Sequence, residues 1–486
     1  MGVDSQSISI RKATIINFLG KYTNIFIQLI YGAILARILT PEDFGIVAVV
    51  TVFTSFFTLV ANMGIGPAII QNKSIDENDT DNIFSLTLYI GLAMGTLFAF
   101  FSILISYFYN NQVYIPIGAL LGVSLFFNTI NIVPNALLLK AHRFKLVNLR
   151  LVIVSILSAI PTIILALIGF KYYSIVFHSI LVAFITFLWN LYTVKPKFNI
   201  KINKQSIQKI KEFSSYQMAF SIINYFSRNM DNLLIGKFMG NSALGFYDKS
   251  YKLMLYPVQN LTHVITPVLH PILSAHQEDK NYIYIQYMKV IKILSLLGVF
   301  ASAYSFFAAE EIVILLFGNQ WYDSILSFRF LALSIWAQMI TSSTGSIFQS
   351  IGNTKLLFNA GVVSAFLIVG SIVIGIGFGS INAVAVCVTL AYNLNIVISF
   401  YLLINKGLKK STTVFFKSLL PDLIIFIVTF VGLYFISMIT INNLLLSALI
   451  KLIFGGVVFI LAMVVTRQTR HITKIFIKAP RKNDYK

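Results

Sequence analysis

The chain has 486 residues, of which 57% are hydrophobic and only 11% are charged, and its mean hydropathy is +0.82. This composition excludes an ordinary soluble domain and is typical of a protein that crosses a membrane many times. The net charge of +20 does not indicate a nucleic-acid partner, because the basic residues gather in hydrophilic segments that fall on one side of the membrane.

Runs of mostly apolar residues predict the membrane-spanning elements, since about 20 residues of helix cross the hydrocarbon core of a bilayer. The backbone has no water to bond there, so these runs are predicted to be α-helices. Fourteen runs meet this description. In chain order they are 14–36, 44–70, 83–107, 113–139, 147–169, 174–194, 213–239, 250–275, 288–316, 328–351, 356–377, 381–404, 415–439 and 444–466. The predicted fold class is therefore an all-α polytopic membrane protein.

The two halves of the chain carry matched residues at a constant offset of 200 positions. The matched pairs are Asn24 and Asn224, Arg37 and Lys237, Gly45 and Gly245, and Pro67 and Pro267. A repeat of this kind is typical of transporters whose halves are related by a pseudo-two-fold axis, with the substrate site between them. We therefore expect two six-helix bundles, followed by two C-terminal helices that have no counterpart in the repeat.

The hydrophilic segments divide the chain into five parts. They are an N-terminal six-helix bundle at 1–194, a basic cytoplasmic linker at 195–212, a C-terminal six-helix bundle at 213–404, two extra helices at 405–466 and a basic tail at 467–486. Basic segments stay in the cytoplasm and contact anionic lipid headgroups. Both termini are therefore predicted to be cytoplasmic.

The motifs of common enzyme classes do not occur in this sequence. We find no Gly-rich phosphate-binding loop, no His-Glu-x-x-His and no Gly-x-Ser-x-Gly nucleophile turn. The acidic loop at 76–81 has the position of a helix cap rather than the spacing of metal ligands. The sequence therefore predicts a transporter rather than an enzyme, with no catalytic residue, metal or cofactor.

Polar side chains inside the predicted spans are the strongest functional signal, because burying them in lipid is costly. Lys21, Asn24 and Gln28 fall at helical spacing on the first span, as do Asn224 and Arg228 on the seventh. These spans open the two halves of the repeat, so we expect their polar stripes to face each other. The resulting cationic cavity suits an anionic group, and the arginine fork suits phosphate.

Other charged or polar residues in the predicted spans have further expected roles. Asp231 lies three residues after Arg228 and can pair with it, either as a functional carboxylate or as a structural partner. Gln259 and His263 on the eighth span are further candidates for substrate binding. Three basic residues near helix ends, in contrast, are expected to extend to the lipid headgroups. They are Arg150, Arg329 and Lys451.

Three segments resemble a known family. They are Arg37–Gly45 after the first span, Arg228–Gly236 in the seventh span and Leu244–Tyr247 after it. These segments are similar to the Wzx-type polysaccharide flippases of the multidrug/oligosaccharidyl-lipid/polysaccharide exporter superfamily. The likeness covers nearly the whole chain and is strongest to the colanic-acid and teichuronic-acid transporter branch.

The resemblance implies a function as well as a fold of two six-helix bundles with two extra helices. A monomer in the bacterial inner (plasma) membrane would translocate undecaprenyl-diphosphate-linked oligosaccharide repeat units from the cytoplasmic to the outer leaflet. Alternating access of this kind serves the biosynthesis of cell-surface polysaccharide. Lys21 and Arg228 would engage the lipid-linked substrate, and Asp231 would couple transport to a proton or sodium gradient.

Two alternatives stay open on the sequence alone. A cation-coupled multidrug or small-molecule antiporter of the same superfamily would need a carboxylate-rich cavity, whereas the expected cavity is basic. A membrane polysaccharide polymerase or ligase would need a long external loop with catalytic residues. The longest outer segment, around 309–327, is short and apolar-rich.

Overall fold

The structure is a computed structural model that describes residues 10–62, 64–72, 74–199, 203, 206, 215–274 and 276–469. Within these ranges all regular structure is helical and no strand occurs. The chain forms two compact units, Met1–Gly245 and Phe246–Lys486. The all-α class is as predicted. The division falls at Gly245, and the bundle boundaries 1–194 and 213–404 stay a prediction.

Nine α-helices lie in the described part of the first unit, and a tenth begins there. They are α1 (Ile10–Ile38), α2 (Pro41–Asn62), α3 (Ile65–Gln71), α4 (Glu77–Tyr109), α5 (Tyr114–Ile130), α6 (Ile132–Lys140), α7 (Phe144–Leu167), α8 (Tyr172–Val194) and α9 (Ser215–Phe238). The tenth helix, α10 (Asn241–Ser274), has its first turn in this unit and continues into the second.

The described part of the second unit continues with nine more α-helices. They are α11 (Lys280–Phe307), α12 (Ala309–Phe317), α13 (Ser324–Ala332), α14 (Ile335–Thr341), α15 (Thr344–Ser350), α16 (Thr354–Gly377), α17 (Ile381–Phe400), α18 (Thr412–Ser437) and α19 (Leu444–Val465). A short 3₁₀ helix at Asn319–Trp321 precedes α13, and a π-helical segment at Tyr401–Gly407 extends α17.

Helix starts follow local sequence signals. At the start of α2, the Thr40 hydroxyl accepts a hydrogen bond from the Asp43 amide at 3.2 Å, and the Asp43 carboxylate accepts from the Thr40 amide at 3.0 Å. Asp76 and Asp79 form the same reciprocal capping box at the start of α4, with distances of 2.7 and 3.2 Å. The acidic loop therefore caps a helix, as its position predicts.

Ten helices in the described ranges are long and apolar enough to cross a membrane. An eleventh candidate is the pair Ser324–Ala332 and Ile335–Ser350, which is bent by 49°. These helices correspond to eleven of the fourteen predicted spans. The other three are α1, α9 and α10, which carry the polar candidate residues. A multi-pass architecture is thus confirmed, whereas the arrangement of fourteen spans stays a prediction.

In the first unit, α4 and α5 pack closely because glycines face each other. A Cβ on Gly95 would lie 2.8 Å from the Gly122 carbonyl oxygen, and a Cβ on Gly122 would lie 2.6 Å from the Gly95 carbonyl oxygen. Small residues of this kind let membrane helices approach. Beside this contact, Ile83, Val133 and Phe187 belong to a buried apolar cluster between α3, α4, α6 and α8.

In the second unit, α11 packs against α13, α14, α18 and α19. Leu296 and Val299 of α11 meet Ile425 of α18 and Met463 of α19 in a buried apolar cluster. The last two helices therefore share the core of this unit, although they have no counterpart in the repeat.

Candidate functional site

The polar stripe of α1 contains Lys21, Asn24 and Gln28, and each has different surroundings. Lys21 is half-buried and Gln28 is exposed. The Asn24 amide oxygen accepts a hydrogen bond from the Ser155 hydroxyl of α7 at 2.6 Å, because α1 packs along α7. Asn24 therefore contributes to helix packing, whereas Lys21 forms no ion pair in the part of the chain that the structure describes.

On α9, Arg228 and Asp231 differ sharply in burial. Arg228 is exposed, whereas Asp231 is only 4% exposed. The Asp231 carboxylate accepts a hydrogen bond from the main-chain N–H of Asn232 at 2.9 Å. Within the described ranges no ion pair joins Arg228 to Asp231. The guanidinium of Arg228 is therefore presented at the surface of the first unit rather than neutralised by its neighbour.

Hydrogen bonds to main-chain carbonyls hold α9 against the rest of the first unit. The Tyr225 hydroxyl donates to the Val52 carbonyl of α2. The Tyr109 hydroxyl of α4 donates to the Leu233 carbonyl of α9 at 3.0 Å. A carbonyl that already bonds within its helix has a second lone pair for such a contact. These bonds fix the orientation of α9, and with it the direction of its polar stripe.

The structure places the predicted site residues in two groups. Lys21 and Arg228 both belong to the first unit, where α1 packs on α7 while α9 packs on α2 and α4. No hydrogen bond or ion pair links these two side chains among the residues described. Gln259 is exposed on the part of α10 that belongs to the second unit. The side chains of Asn224 and His263 lie outside the described residues.

Sequence alone did not indicate a buried arginine network in the first unit. Arg150 of α7 is 4% exposed, so the expectation that its side chain extends along the outside of the protein to the headgroups is wrong. Its Nη1 donates to the amide oxygens of Asn135 at 3.2 Å and Asn190 at 2.5 Å. The Asn190 amide nitrogen donates to the Asn131 amide oxygen at 2.7 Å. The one available signal was the spacing of Asn131 and Asn135, which are one helical turn apart.

Two buried ion pairs in the second unit were also missed. Lys292 of α11 pairs with Asp422 of α18, and Lys451 of α19 pairs with Glu311 of α12. The side chains are at most 13% exposed. The expectation that Lys451 extends to the headgroups is therefore wrong, because Glu311 neutralises it inside the protein. The sequence does contain a signal for the first pair, because Asp422 is the one acidic residue in the predicted span 415–439.

A histidine provides a further polar contact in the first unit. The His178 ring of α8 stacks on Tyr31 of α1, with centroids 4.3 Å apart. Its Nδ1 lies 3.3 Å from the Thr162 hydroxyl of α7. Ionisable side chains within membrane spans are uncommon and usually functional. His178 is therefore a group to compare with Asp231 when ion coupling is tested.

Comparison with known proteins identifies the family of this chain. The model of the family described as "Polysaccharide biosynthesis protein" matches residues 34–326. The chain is 24% identical over 416 residues to the lipopolysaccharide biosynthesis protein WzxC of Escherichia coli. This alignment covers 80% of each chain. It is 22% identical over 412 residues to the teichuronic acid biosynthesis protein TuaB of Bacillus subtilis, which covers 82% of this chain and 83% of TuaB.

Among solved structures, the fold is similar to that of the lipid II flippase MurJ in an inward closed conformation. The TM-score is 0.74 at 16% sequence identity, and the match covers 94% of this chain and 100% of the MurJ chain. At this identity the likeness concerns the fold alone, and it agrees with the all-helical architecture described above. Because the family model matches more than half of the chain, the protein is a multi-pass membrane protein that belongs to the polysaccharide biosynthesis protein family.

Proposed function

We propose that this chain flips undecaprenyl-diphosphate-linked oligosaccharide repeat units from the cytoplasmic to the outer leaflet of the bacterial plasma membrane. The observation that carries the proposal is the family match over 34–326, on a chain whose helices span a membrane many times. Two relatives are named for the biosynthesis of lipopolysaccharide and of teichuronic acid. In the biosynthesis of surface polysaccharide the chain acts as a transporter, and other proteins synthesise the sugar chain.

The chemistry of the first unit supports an anionic substrate. Lys21 and Arg228 are cations on two helices that are predicted to lie in the membrane, and neither forms an ion pair among the described residues. A cation at that depth is costly unless an anion meets it. The diphosphate of the lipid carrier supplies that anion, and the planar fork of Arg228 can hold two of its oxygens at once.

Transport proceeds by alternating access, in which the site is open to one side of the membrane at a time. Asp231 is our proposed coupling group, because a buried carboxylate can take up a proton or help to bind sodium during the cycle. Both termini and the linker 195–212 lie in the cytoplasm, where their basic residues contact anionic lipids. The monomer is the working unit.

The proposal is tested by deleting the gene in its native host and measuring both the surface polysaccharide and the lipid-linked precursor. We expect the surface polymer to be lost and the precursor to accumulate on the cytoplasmic side. Purified protein in vesicles should also move a fluorescent lipid-linked oligosaccharide to the leaflet that an impermeant quencher reaches. Normal surface polymer in the deletion strain, with no accumulated precursor, would rule the function out.

A further inference from the structure

The network around Arg150 contains a buried positive charge without a negative partner. Arg150 is 4% exposed, and its hydrogen-bond acceptors are the neutral amides of Asn135 and Asn190. No carboxylate among the described residues pairs with it. A structural arginine inside a protein is normally neutralised by an acid. The absence of an acid here indicates that an external anion neutralises the charge.

The network also has more donors than acceptors. Arg150 uses Nη1 for both amide oxygens, while its Nε is buried and has no hydrogen-bond partner. Nε lies on the edge of the guanidinium that binds two oxygens of one oxyanion. Asn131 and Asn135 each use their amide oxygen as an acceptor, and neither amide nitrogen donates to a described residue. Both asparagines are half-buried, so their donors can be reached.

The position of Arg150 fits a phosphate at the level of the lipid headgroups. Arg150 is about 9 Å along α7 from Phe144, the first residue of the helix, at the usual rise per residue. The turn before α7 contains Arg143, and the first turn of the helix contains Lys145, both of which are exposed. Basic residues at this end concentrate anions near the membrane surface. On the proposed topology this end of α7 faces the cytoplasm.

We propose that Arg150, Asn131 and Asn135 form a binding site for the phosphate of a membrane lipid with a net negative charge in the cytoplasmic leaflet. The guanidinium binds one phosphate through its Nε edge, and the two amide nitrogens donate to the remaining oxygens. Asn190 holds the guanidinium in place by accepting a hydrogen bond from Nη1. Only the choice of leaflet rests on the topology given under the proposed function, since the site itself is defined by contacts within the first unit.

The test measures thermal unfolding of the purified full chain in nanodiscs. Wild-type protein is compared in zwitterionic phosphatidylcholine and in the same lipid with added phosphatidylglycerol, which carries a phosphate diester and a net negative charge. We expect the anionic lipid to raise Tm by about 5 °C. In Asn190→Asp the new carboxylate neutralises Arg150 from within. This variant should therefore unfold at a higher temperature in phosphatidylcholine and gain little from phosphatidylglycerol.

Two further arms make the result specific. Lys417→Gln removes an exposed lysine of α18 that takes no part in this site, and it should keep the full lipid-dependent rise, which controls for surface charge. Inorganic phosphate is added to the phosphatidylcholine sample. A rise with phosphate alone would support the phosphate site and assign its ligand to solution rather than to a lipid. Arg150→Gln is also prepared. If Arg150→Gln does not fold, the result for Asn190→Asp decides the test.

The proposal is overturned if phosphatidylglycerol and phosphate leave wild-type Tm unchanged. It is equally overturned if Asn190→Asp gains as much from phosphatidylglycerol as the wild type does. Neither measurement involves transport, so failure of this site and failure of the flippase proposal give different results.

Discussion

Gly45 lies against the backbone carbonyl of Asn241, and Gly245 lies against the backbone carbonyl of Pro41. Each glycine thus contacts the residue four positions before the other glycine. A Cβ on Gly45 would lie 1.8 Å from the Asn241 oxygen, and a Cβ on Gly245 would lie 1.9 Å from the Pro41 oxygen. The two contacts are equivalent under the repeat, because both pairs of residues are 200 positions apart. A two-fold axis between related segments produces reciprocal contacts of this kind. The sequence repeat is thus visible where the first turns of α2 and α10 cross.

The first prediction concerns this crossing. Gly45→Ala and Gly245→Ala should each lower the free energy of unfolding by about 1–3 kcal/mol, because the added methyl group forces two backbones apart. The double variant should lose less than the sum, since the first methyl already separates the helices. Thermal unfolding in detergent measures the effect. Gly32→Ala is the control, because no described atom outside the neighbouring turns of its own helix lies within 4 Å of its added Cβ. Equal Tm values for Gly32→Ala and Gly45→Ala would argue against the close approach.

The second prediction concerns the cations of the proposed site. Arg228→Ala should abolish export while leaving the protein level in the membrane close to normal, because Arg228 is exposed and supports no described ion pair. Lys21→Ala should reduce export less, and Arg228→Lys should restore it only in part, since a point charge cannot replace a planar fork. The measurement is surface polysaccharide per molecule of membrane-inserted protein.

Lys417→Ala provides the matched control for this series, because Lys417 is an exposed lysine outside the proposed site. It should leave export unchanged. Wild-type export from a well-expressed double variant, Lys21→Ala with Arg228→Ala, would remove both residues from the substrate site.

The third prediction concerns ion coupling. Asp231→Asn should slow transport and change its dependence on the proton or sodium gradient, because the amide has nearly the shape of the carboxylate but cannot carry its charge. Transport into vesicles is measured while each gradient is imposed separately. His178→Gln is tested in parallel. Normal flux with an unchanged response to both gradients in Asp231→Asn would leave Asp231 with a structural role only.

The fourth prediction concerns the ion pair of Lys292 and Asp422. Lys292→Met should lower the free energy of unfolding by about 3–5 kcal/mol, because the buried Asp422 then lacks its counter-ion. The double variant with Asp422→Leu should recover most of this loss, since no charge remains buried. Lys289→Met, an exposed lysine on the same helix, should change stability by less than about 0.5 kcal/mol. A double variant as unstable as the single one would show that packing, rather than charge, accounts for the loss.

The fifth prediction concerns topology. In a Cys387→Ala background, which removes the one native cysteine, Asn319→Cys should react with an impermeant thiol reagent in intact cells. Lys406→Cys should react only after the cells are opened, because its segment is predicted to be cytoplasmic. Both residues are exposed, so a difference in labelling reports the side of the membrane. Labelling of Lys406→Cys in intact cells would reverse the orientation.

The features that sequence predicts well are local ones. The capping box of Thr40 and Asp43 involves residues three positions apart, so the signal and the contact occupy the same short segment. Apolar runs likewise predict spanning helices, because each helix satisfies its own backbone bonds in lipid. The same criterion is weaker for α1, α9 and α10, whose polar stripes lower their hydropathy, and these helices carry the proposed site.

Contacts between distant residues could not be predicted from one sequence. Arg150 and Lys451 were both expected to extend to the headgroups, since each lies near a helix end. Arg150 instead meets Asn190, 40 residues away, and Lys451 meets Glu311, 140 residues away. A single sequence shows that a charge is present in a span but not which neighbour neutralises it. That information comes only from how the helices pack.

The ion pairs of the last two helices have a consequence for how the protein is made. Lys292 leaves the ribosome 130 residues before Asp422, and Glu311 precedes Lys451 by 140 residues. The nascent chain therefore holds two uncompensated charges until its final helices enter the bilayer. We expect the membrane insertion machinery, or water at the headgroups, to shelter these charges during that interval. A nascent chain halted before α18 would keep both charges unpaired, so the last two helices are needed to neutralise charges that the chain has already placed in the membrane.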